Sequence, residues 1–287
     1  MSVEVPPISQ AAVQFSVDQE TCVKCGMCAK DCPFGIIAQE EDSFPTLTDE
    51  NLCIRCQHCF TVCPTGSLSV LGNDPAAATT LKGNLPNQEQ FMTLIKGRRS
   101  VRQYRDESLP QETIDQLLEA TWHAPTGHNF QQNLLTVVDN KETVDKVRTE
   151  IYQKIEQALA ENKLDGHPAK DYFGMAVQMR KHAGADIIFR GAPHILVISS
   201  PENGASPVQD TIIALTTFDL LAPTMGVGTL WNGMLKWCLG LFPDIQEKLG
   251  VPNDHHIGYA MVFGKPAVNY QRTAVRNPVR VNRINDW

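Results

Sequence analysis

The sequence predicts an α+β protein in two parts, a small cysteine-rich module followed by a larger domain. Three observations carry that reading. Eight of the nine cysteines fall between Cys22 and Cys63, in two matching runs. After Gly72 the hydrophobic pattern lengthens to helical periods broken by short apolar runs. Those strands and helices interleave without a strict βαβ rhythm, and no Gly-x-Gly-x-x-Gly follows a strand, which argues against a doubly wound sheet.

The first run reads Cys22-Val-Lys-Cys25-Gly-Met-Cys28-Ala-Lys-Asp-Cys32-Pro33, and the second Cys53-Ile-Arg-Cys56-Gln-His-Cys59-Phe-Thr-Val-Cys63-Pro64. Each has three cysteines at intervals of three, a fourth four residues on, and a proline, the run that holds cubane iron–sulfur clusters in bacterial proteins. Every cysteine recurs 31 residues later and Gly35 and Gly66 follow in register, so one half-module is used twice. In such modules the fourth thiolate comes from the other run. Cys22, Cys25, Cys28 and Cys63 are therefore assigned to one [4Fe–4S] cluster, and Cys53, Cys56, Cys59 and Cys32 to a second. Paired Cys-x-x-Cys also suits structural zinc; two complete runs, each ending in Cys-Pro, favour clusters. The stretch looks like a bacterial two-cluster ferredoxin, whose common use is to pass single electrons.

At 287 residues the chain is too long for that module alone and suits one small and one ordinary domain. The boundaries read as 1–75 for the cluster module, 76–90 for a linker overlapping the Ala-, Thr- and Pro-containing stretch Asn73 to Pro86, and 91–287 for the second domain. Residues 1–75 carry ten acidic and three basic side chains, which accounts for the whole net charge of −7. That acidic surface either serves solubility or steers a basic redox partner. No basic tract points to nucleic acid. Met1 to Ile8 lacks a signal-peptide pattern, and no apolar run approaches the ~18 residues of a membrane span. With the cysteines in cluster runs rather than a disulfide framework, a reducing compartment and a soluble cytoplasmic protein are expected.

The elements follow in order. Residues 1–20 are a lead-in, with a short strand within Val13 to Val17. Phe91, Leu94 and Ile95 mark a short helix running into Arg98. Pro110 starts another, with Ile114, Leu117 and Leu118 at helical spacing. Leu134 to Val138 is a strand. Val144, Val147, Ile151, Ile155 and Leu159 form a helical stripe, and Glu161 to Lys170 a loop. Ile195 to Ile198 is a buried strand. Thr211 to Met225, apolar on nearly all sides, reads as an enclosed helix. Pro243 to Leu249 is a short helix closed by Gly250, Tyr259 to Phe263 a buried strand, and Val279 to Ile284 an extended basic tail.

Four separated segments then stand out: Arg98-Arg99-Ser100-Val-Arg102 with Tyr104 beyond; Ala124-Pro125-Thr126-Gly127-His-Asn129-Phe-Gln131; Met225-Gly-Val-Gly228-Thr229-Leu-Trp231-Asn232-Gly233; and Gly264-Lys-Pro266 with Arg276-Asn-Pro278 after it. In this order, across residues 90–280, they resemble the FMN-dependent nitroreductase family, which includes flavin-dependent dehalogenases and enone reductases. The resemblance implies a three-layer α/β/α fold and a domain-swapped homodimer with FMN at the interface. It implies that Arg98, Arg99, Ser100 and Arg102 hold the flavin phosphate, ribityl chain and pyrimidine edge, a task for which guanidinium forks are suited. Arg276, or more weakly Arg272, is the late phosphate-binding arginine. Pro125, Thr126 and Gly127 match a loop crossing from the partner subunit, Asn129 and Gln131 match polar flavin contacts, and Trp231, Asn232 and Gly233 bring backbone N–H groups to the reactive flavin nitrogen. Where the family often has Pro-Trp after the glutamine, this chain has Gln132-Asn133.

No catalytic side chain is assigned, because the flavin carries the chemistry. The substrate lid is expected in residues 160–185; Phe173, Met175 and Met179 there read as core before pocket. Cys238 reads as a buried thiol, His58 as a neighbour of a cluster rather than a ligand, and His255-His256 as no metal site. The function these features imply is an iron–sulfur flavoprotein reductase. It takes electrons from a ferredoxin-like or other one-electron donor, with NAD(P)H as the alternative, through two [4Fe–4S] clusters to FMN. A small organic acceptor, such as a nitroaromatic, quinone or activated alkene, receives them. Two other readings share the features: a reductive dehalogenase on the same fold, and a non-catalytic electron-transfer or redox-sensing flavoprotein.

Overall fold

A computed structural model of the chain describes residues 12–286; the start of the expected lead-in lies outside the described residues. The chain divides into two compact units, one of Met1–Pro86 with Thr126–Gln131, the other of Asn87–Pro125 with Gln132–Trp287.

The first unit displays its internal repeat in the backbone. A one-turn helix α1 (Met27–Lys30) and strand β2 (Ile37–Ala38) in the first half answer to α2 (His58–Thr61) and β4 (Leu68–Ser69) in the second. The remaining strands, β1 (Ser16–Val17) and β3 (Thr46–Leu47), pair across the halves, β1 antiparallel to β4 and β2 antiparallel to β3. Lys24 and Arg55 both take left-handed φ, near 52° and 57°, as do Gly26 and Gln57 at 72° and 59°. Such residues are unusual outside glycine, and here they turn the chain sharply between successive cysteines. Few apolar side chains sit beneath: Val13, Cys28, Ile37, Leu68 and Val70 form the buried cluster.

The second unit is a four-stranded antiparallel sheet in the order β5 (Leu134–Val138), β6 (His194–Pro201), β8 (His255–Gly264), β7 (Gly228–Trp231). Strand alternation sends neighbouring side chains to opposite faces, so Ile195, Val197, Ala260 and Val262 enter one core while Leu196, Ile198, Met261 and Phe263 enter the other. Helices cover both faces, which is why the central strands read as unbroken apolar runs. Against the first core lie α5 (Lys141–Ala160), α6 (Lys170–Ala183), α8 (Gly233–Leu241) and α9 (Pro243–Lys248); against the second lie α4 (Gln111–Trp122) and α7 (Pro207–Leu221). A further helix, α3 (Gln88–Gly97), is capped by the Asn87 side chain and leads into Arg98. This is the three-layer α/β/α arrangement.

Two expectations differ in detail. The helix expected over Thr211 to Met225 starts at Pro207, ends at Leu221 and passes into a 3₁₀ turn over Ala222–Met225, where Pro223 lacks the N–H an α-helix requires. It is enclosed on one side only, since Val208 and Ile213 are exposed while Ala214, Leu215 and Phe218 are buried. The residue 160–185 region is mostly the helix α6, with Phe173 in the core and Met175 and Met179 exposed. Among the described residues no helix is long and apolar enough to cross a membrane.

Candidate functional site

The cysteines of the first unit frame two cavities. One is lined by Cys22, Cys25, Cys28 and Cys63, the other by Cys32, Cys53, Cys56 and Cys59. The remaining walls are largely apolar, Val17 and Leu68 in the first, Val13, Phe15, Ile37 and Leu47 in the second. Each cavity takes three sulfurs from one half of the repeat and one from the other. Among the described residues no three Cys, His, Asp or Glu side chains close on a single ion. Four thiols that line one space without three of them closing on a point fit a polynuclear cluster better than zinc. Burial pushes the Cys59 thiol up to about 11 and raises that of Cys28. At Cys63 burial acts the same way, but hydrogen bonds from Ser67 and Thr65 outweigh it and bring the thiol down to about 7. His58 lines the second cavity, and its Nδ1 lies 3.1 Å from Asp31 Oδ2.

In the second unit the arginine segment lies along edge strand β7. Ser100 bridges Thr229 in parallel, and Val101 N–H donates to the Thr229 carbonyl at 2.8 Å. Such closeness needs Gly228, where a Cβ would stand 2.6 Å from Val101 Cγ2. Tyr104 pins the far end, its hydroxyl donating to the carbonyls of Val101 and Val262 at 3.0 and 3.3 Å. Arg99 and Arg102 are exposed and Ser100 half-buried. Arg98 is half-buried, with Nη1 3.2 Å from Asp219 Oδ2; that nitrogen has no hydrogen-bond partner in proper geometry. A buried guanidinium N–H held by charge alone is what an incoming anionic oxygen can take up.

Asp219 went unremarked in the sequence, and it organises this edge. It is 4% exposed, and it accepts hydrogen bonds from Thr229 Oγ1 and from Trp231 Nε1, the latter at 2.9 Å. One carboxylate on α7 thus fixes Arg98, strand β7 and the indole. The available signal was an acid in the largely apolar second half of this helix. Asn232 has its side chain committed elsewhere: Oδ1 accepts from Leu235 N–H to cap α8, and Nδ2 donates to the Ile188 carbonyl at 2.8 Å. Its backbone N–H goes to the Ala260 carbonyl. Gly233, the first residue of α8, has a backbone N–H with no acceptor inside the helix.

Arg272 and Arg276 lie in a tail without regular structure and are exposed. The tail runs past the arginine segment, with Ala274 N–H donating to the Lys96 carbonyl at 3.3 Å and Tyr270 Oη 3.5 Å from the Ser100 carbonyl. Pro125 belongs to the second unit, whereas Thr126, Gly127, Asn129 and Gln131 group with the first. Within the first unit, Asn129 Nδ2 donates to the Ile54 carbonyl at 2.9 Å, between Cys53 and Cys56. His128, Asn129 and Gln131 all take left-handed φ near 50–55°, a local strain common at binding sites. Cys238 is fully buried and its thiol is pushed up to about 12 by burial, so it is an inert core residue.

A module with two cysteine-lined cavities and a three-layer domain with arginines along an edge strand define a redox protein with an iron–sulfur part. The family comparisons agree. The nitroreductase family matches residues 95–265, and a 4Fe–4S dicluster domain matches residues 21–68. The chain belongs to the nitroreductase family; it is a flavoprotein oxidoreductase with a ferredoxin-like 4Fe–4S domain ahead of it. A putative NADH dehydrogenase/NAD(P)H nitroreductase of Archaeoglobus fulgidus is 26% identical over 208 residues, covering 68% of this chain and 98% of that one. An FMN reductase [NAD(P)H] of Bacillus subtilis is 30% identical over 175 residues, 59% of this chain and 63% of that one. The crystal structure of a nitroreductase with bound FMN from Desulfitobacterium hafniense shares the fold, with a TM-score of 0.54 at 22% identity over 70% of this chain and all of that one.

Proposed function

We propose that this chain is a reductase in which a one-electron donor of the ferredoxin kind feeds two [4Fe–4S] clusters, then FMN, and finally a small organic acceptor such as a nitroaromatic, quinone or activated alkene. The observation that carries the reading is the pair of cavities, each framed by four cysteines, in a chain whose other domain is a nitroreductase. When bound, the clusters hold single electrons and FMN collects them for delivery to the acceptor.

The chain's own work is binding and positioning. Cys22, Cys25, Cys28 and Cys63 supply the thiolates of one cluster, and Cys32, Cys53, Cys56 and Cys59 those of the other. Arg98, Arg99, Ser100 and Arg102 hold the flavin, aided by Arg276 or Arg272, and the Gly233 N–H offers a donor to its ring. Pro125, Thr126, Gly127, Asn129 and Gln131 serve the flavin of a homodimer, a state supported by exposed apolar side chains at Phe91, Met92, Ile95, Val208 and Ile213. Exposed Glu40, Glu41 and Asp42 on the acidic module suit a basic donor. A second reading, direct hydride entry from NAD(P)H, is favoured by the names of the Archaeoglobus and Bacillus relatives.

An anaerobic titration with NADH, NADPH and reduced ferredoxin, following flavin and cluster absorbance together, separates the two. The proposal expects slow or no bleaching by nucleotide and sequential bleaching of clusters and flavin by ferredoxin. Prompt flavin bleaching by either nucleotide would make the clusters an exit or a store instead.

A further inference from the structure

The two halves of the cysteine module are near copies, so the positions at which they differ stand out against a common backbone. After its last cysteine the first half reads Cys32-Pro-Phe34-Gly35-Ile36, and the second Cys63-Pro-Thr65-Gly66-Ser67. Gly35 and Gly66 share left-handed φ values of 61° and 64°, so the flanking side chains occupy equivalent places. In the second half those side chains are hydroxyls aimed at the sulfur. Ser67 Oγ lies 3.3 Å from Cys63 Sγ; Thr65 Oγ1 lies 3.8 Å from the same sulfur and donates to Ser67 Oγ at 3.2 Å. Ser67 is 5% exposed, shielded from competing water. A ligating cysteine is a thiolate with no proton to give, so the hydroxyls are the donors, relayed from Thr65 through Ser67 to sulfur. Phe34 and Ile36 have no proton to donate, and among the described residues no other cysteine sulfur accepts a side-chain hydrogen bond.

Hydrogen bonds to the sulfurs around a cluster are one of the levers on its reduction potential. They favour the reduced form, which carries one more negative charge. We infer that the Thr65–Ser67 pair makes the cluster of Cys22, Cys25, Cys28 and Cys63 the higher-potential one, so that a single electron entering the module rests there. This rests on the reading of the module as a two-cluster carrier. A second asymmetry has the same sign. Asp31 stands beside Cys32 where the second half has Val62, and a carboxylate there disfavours added charge on the other cluster. It is the weaker effect, because Asp31 is about half exposed and pairs with His58.

The test is an EPR-monitored reductive titration with dithionite on the full chain loaded with iron and sulfide. Each cluster takes one electron from the reductant, which is oxidised to sulfite. The unaltered protein is expected to show two distinct midpoint potentials. Ser67→Ala should lower the higher one and leave the lower in place, and Thr65→Val, at an exposed position, should shift it the same way by less. The mirror replacement Phe34→Thr with Ile36→Ser should raise the lower potential. Coincident potentials in the unaltered protein, or a shift confined to the lower one in Ser67→Ala, would overturn the inference. Loading well short of about eight iron atoms per chain sinks the two-cluster reading itself and the inference with it. Full loading with unmoved potentials sinks the inference alone.

Discussion

Leu68 in the first unit and Phe263 in the second are equally closed to solvent, at 1% and 0% exposure, yet they are buried by different means. Phe263 sits in a strand paired on both sides, with α7 packed over it, and its ring meets Phe218 and His194 at centroid distances of 5.1 and 5.0 Å. Leu68 belongs to a two-stranded pairing of two residues a side, a unit of marginal stability alone in water. What lies around it is a handful of apolar side chains and the cysteines themselves. The second unit is therefore a fold with a core of its own, and the first is one that the proposed iron–sulfur ligation would complete.

The sharpest way to break that contrast is to remove the iron. Stripping the clusters with a chelator under mild oxidation should leave amide exchange across β5, β6 and β8 slow while residues 13–71 lose nearly all protection, read peptide by peptide in one hydrogen-exchange experiment. On the proposed ligation, Cys59→Ala should abolish one cluster and loosen both halves, because each cavity borrows a sulfur from the other run. A module that kept its protection without iron would show that its small core suffices.

A smaller effect probes how the second unit holds its ligand with side chains it already owns. Asp219→Asn keeps the shape that meets Trp231 and Thr229 but loses the charge facing Arg98. FMN affinity should fall about tenfold, about 1.4 kcal/mol, with little change in the unfolding midpoint. Asp219→Ala strips the half-buried Arg98 of its partner and Thr229 and Trp231 of their acceptor, a loss that should show in urea denaturation. Unchanged FMN binding in Asp219→Asn would reduce the carboxylate to a packing residue.

Much of this was legible in the sequence, for physical reasons that differ between the units. Thiolate spacing is local, so the runs at Cys22 and Cys53 announced themselves. Apolar runs long enough to be buried on both faces, such as Ile195 to Ile198, marked the central strands. Edge strand β7 and helix α8 did not show, because Gly228 to Leu241 mixes glycines with an apolar stretch whose break depends on the Asn232 cap. Asp219 was hidden because its meaning lies in three partners distant in sequence. The placement of Asn129 against Ile54 was hidden for the same reason, since no pattern in either segment encodes the other.

The smallest expected effect concerns acid. His194 is fully buried on β6, and burial holds its pKa below the ordinary 6.5. Its Nε2 accepts the Leu109 N–H at 2.8 Å, a bond a protonated ring cannot keep. Above pH 6.5 the ring is neutral both folded and unfolded, and stability is flat. As pH falls through 6.5 the unfolded chain takes up a proton that the folded chain refuses, so stability drops, by up to about 1.4 kcal/mol per pH unit per histidine, until the folded pKa is passed. His255, also lowered by burial, adds to the same slope. His194→Gln keeps an acceptor for Leu109 and cannot titrate. Its urea midpoint should fall less between pH 7 and pH 5.5 than that of the unaltered protein, with the remainder due to His255. An identical fall would remove His194 from the account and leave the acid sensitivity of the sheet to other groups.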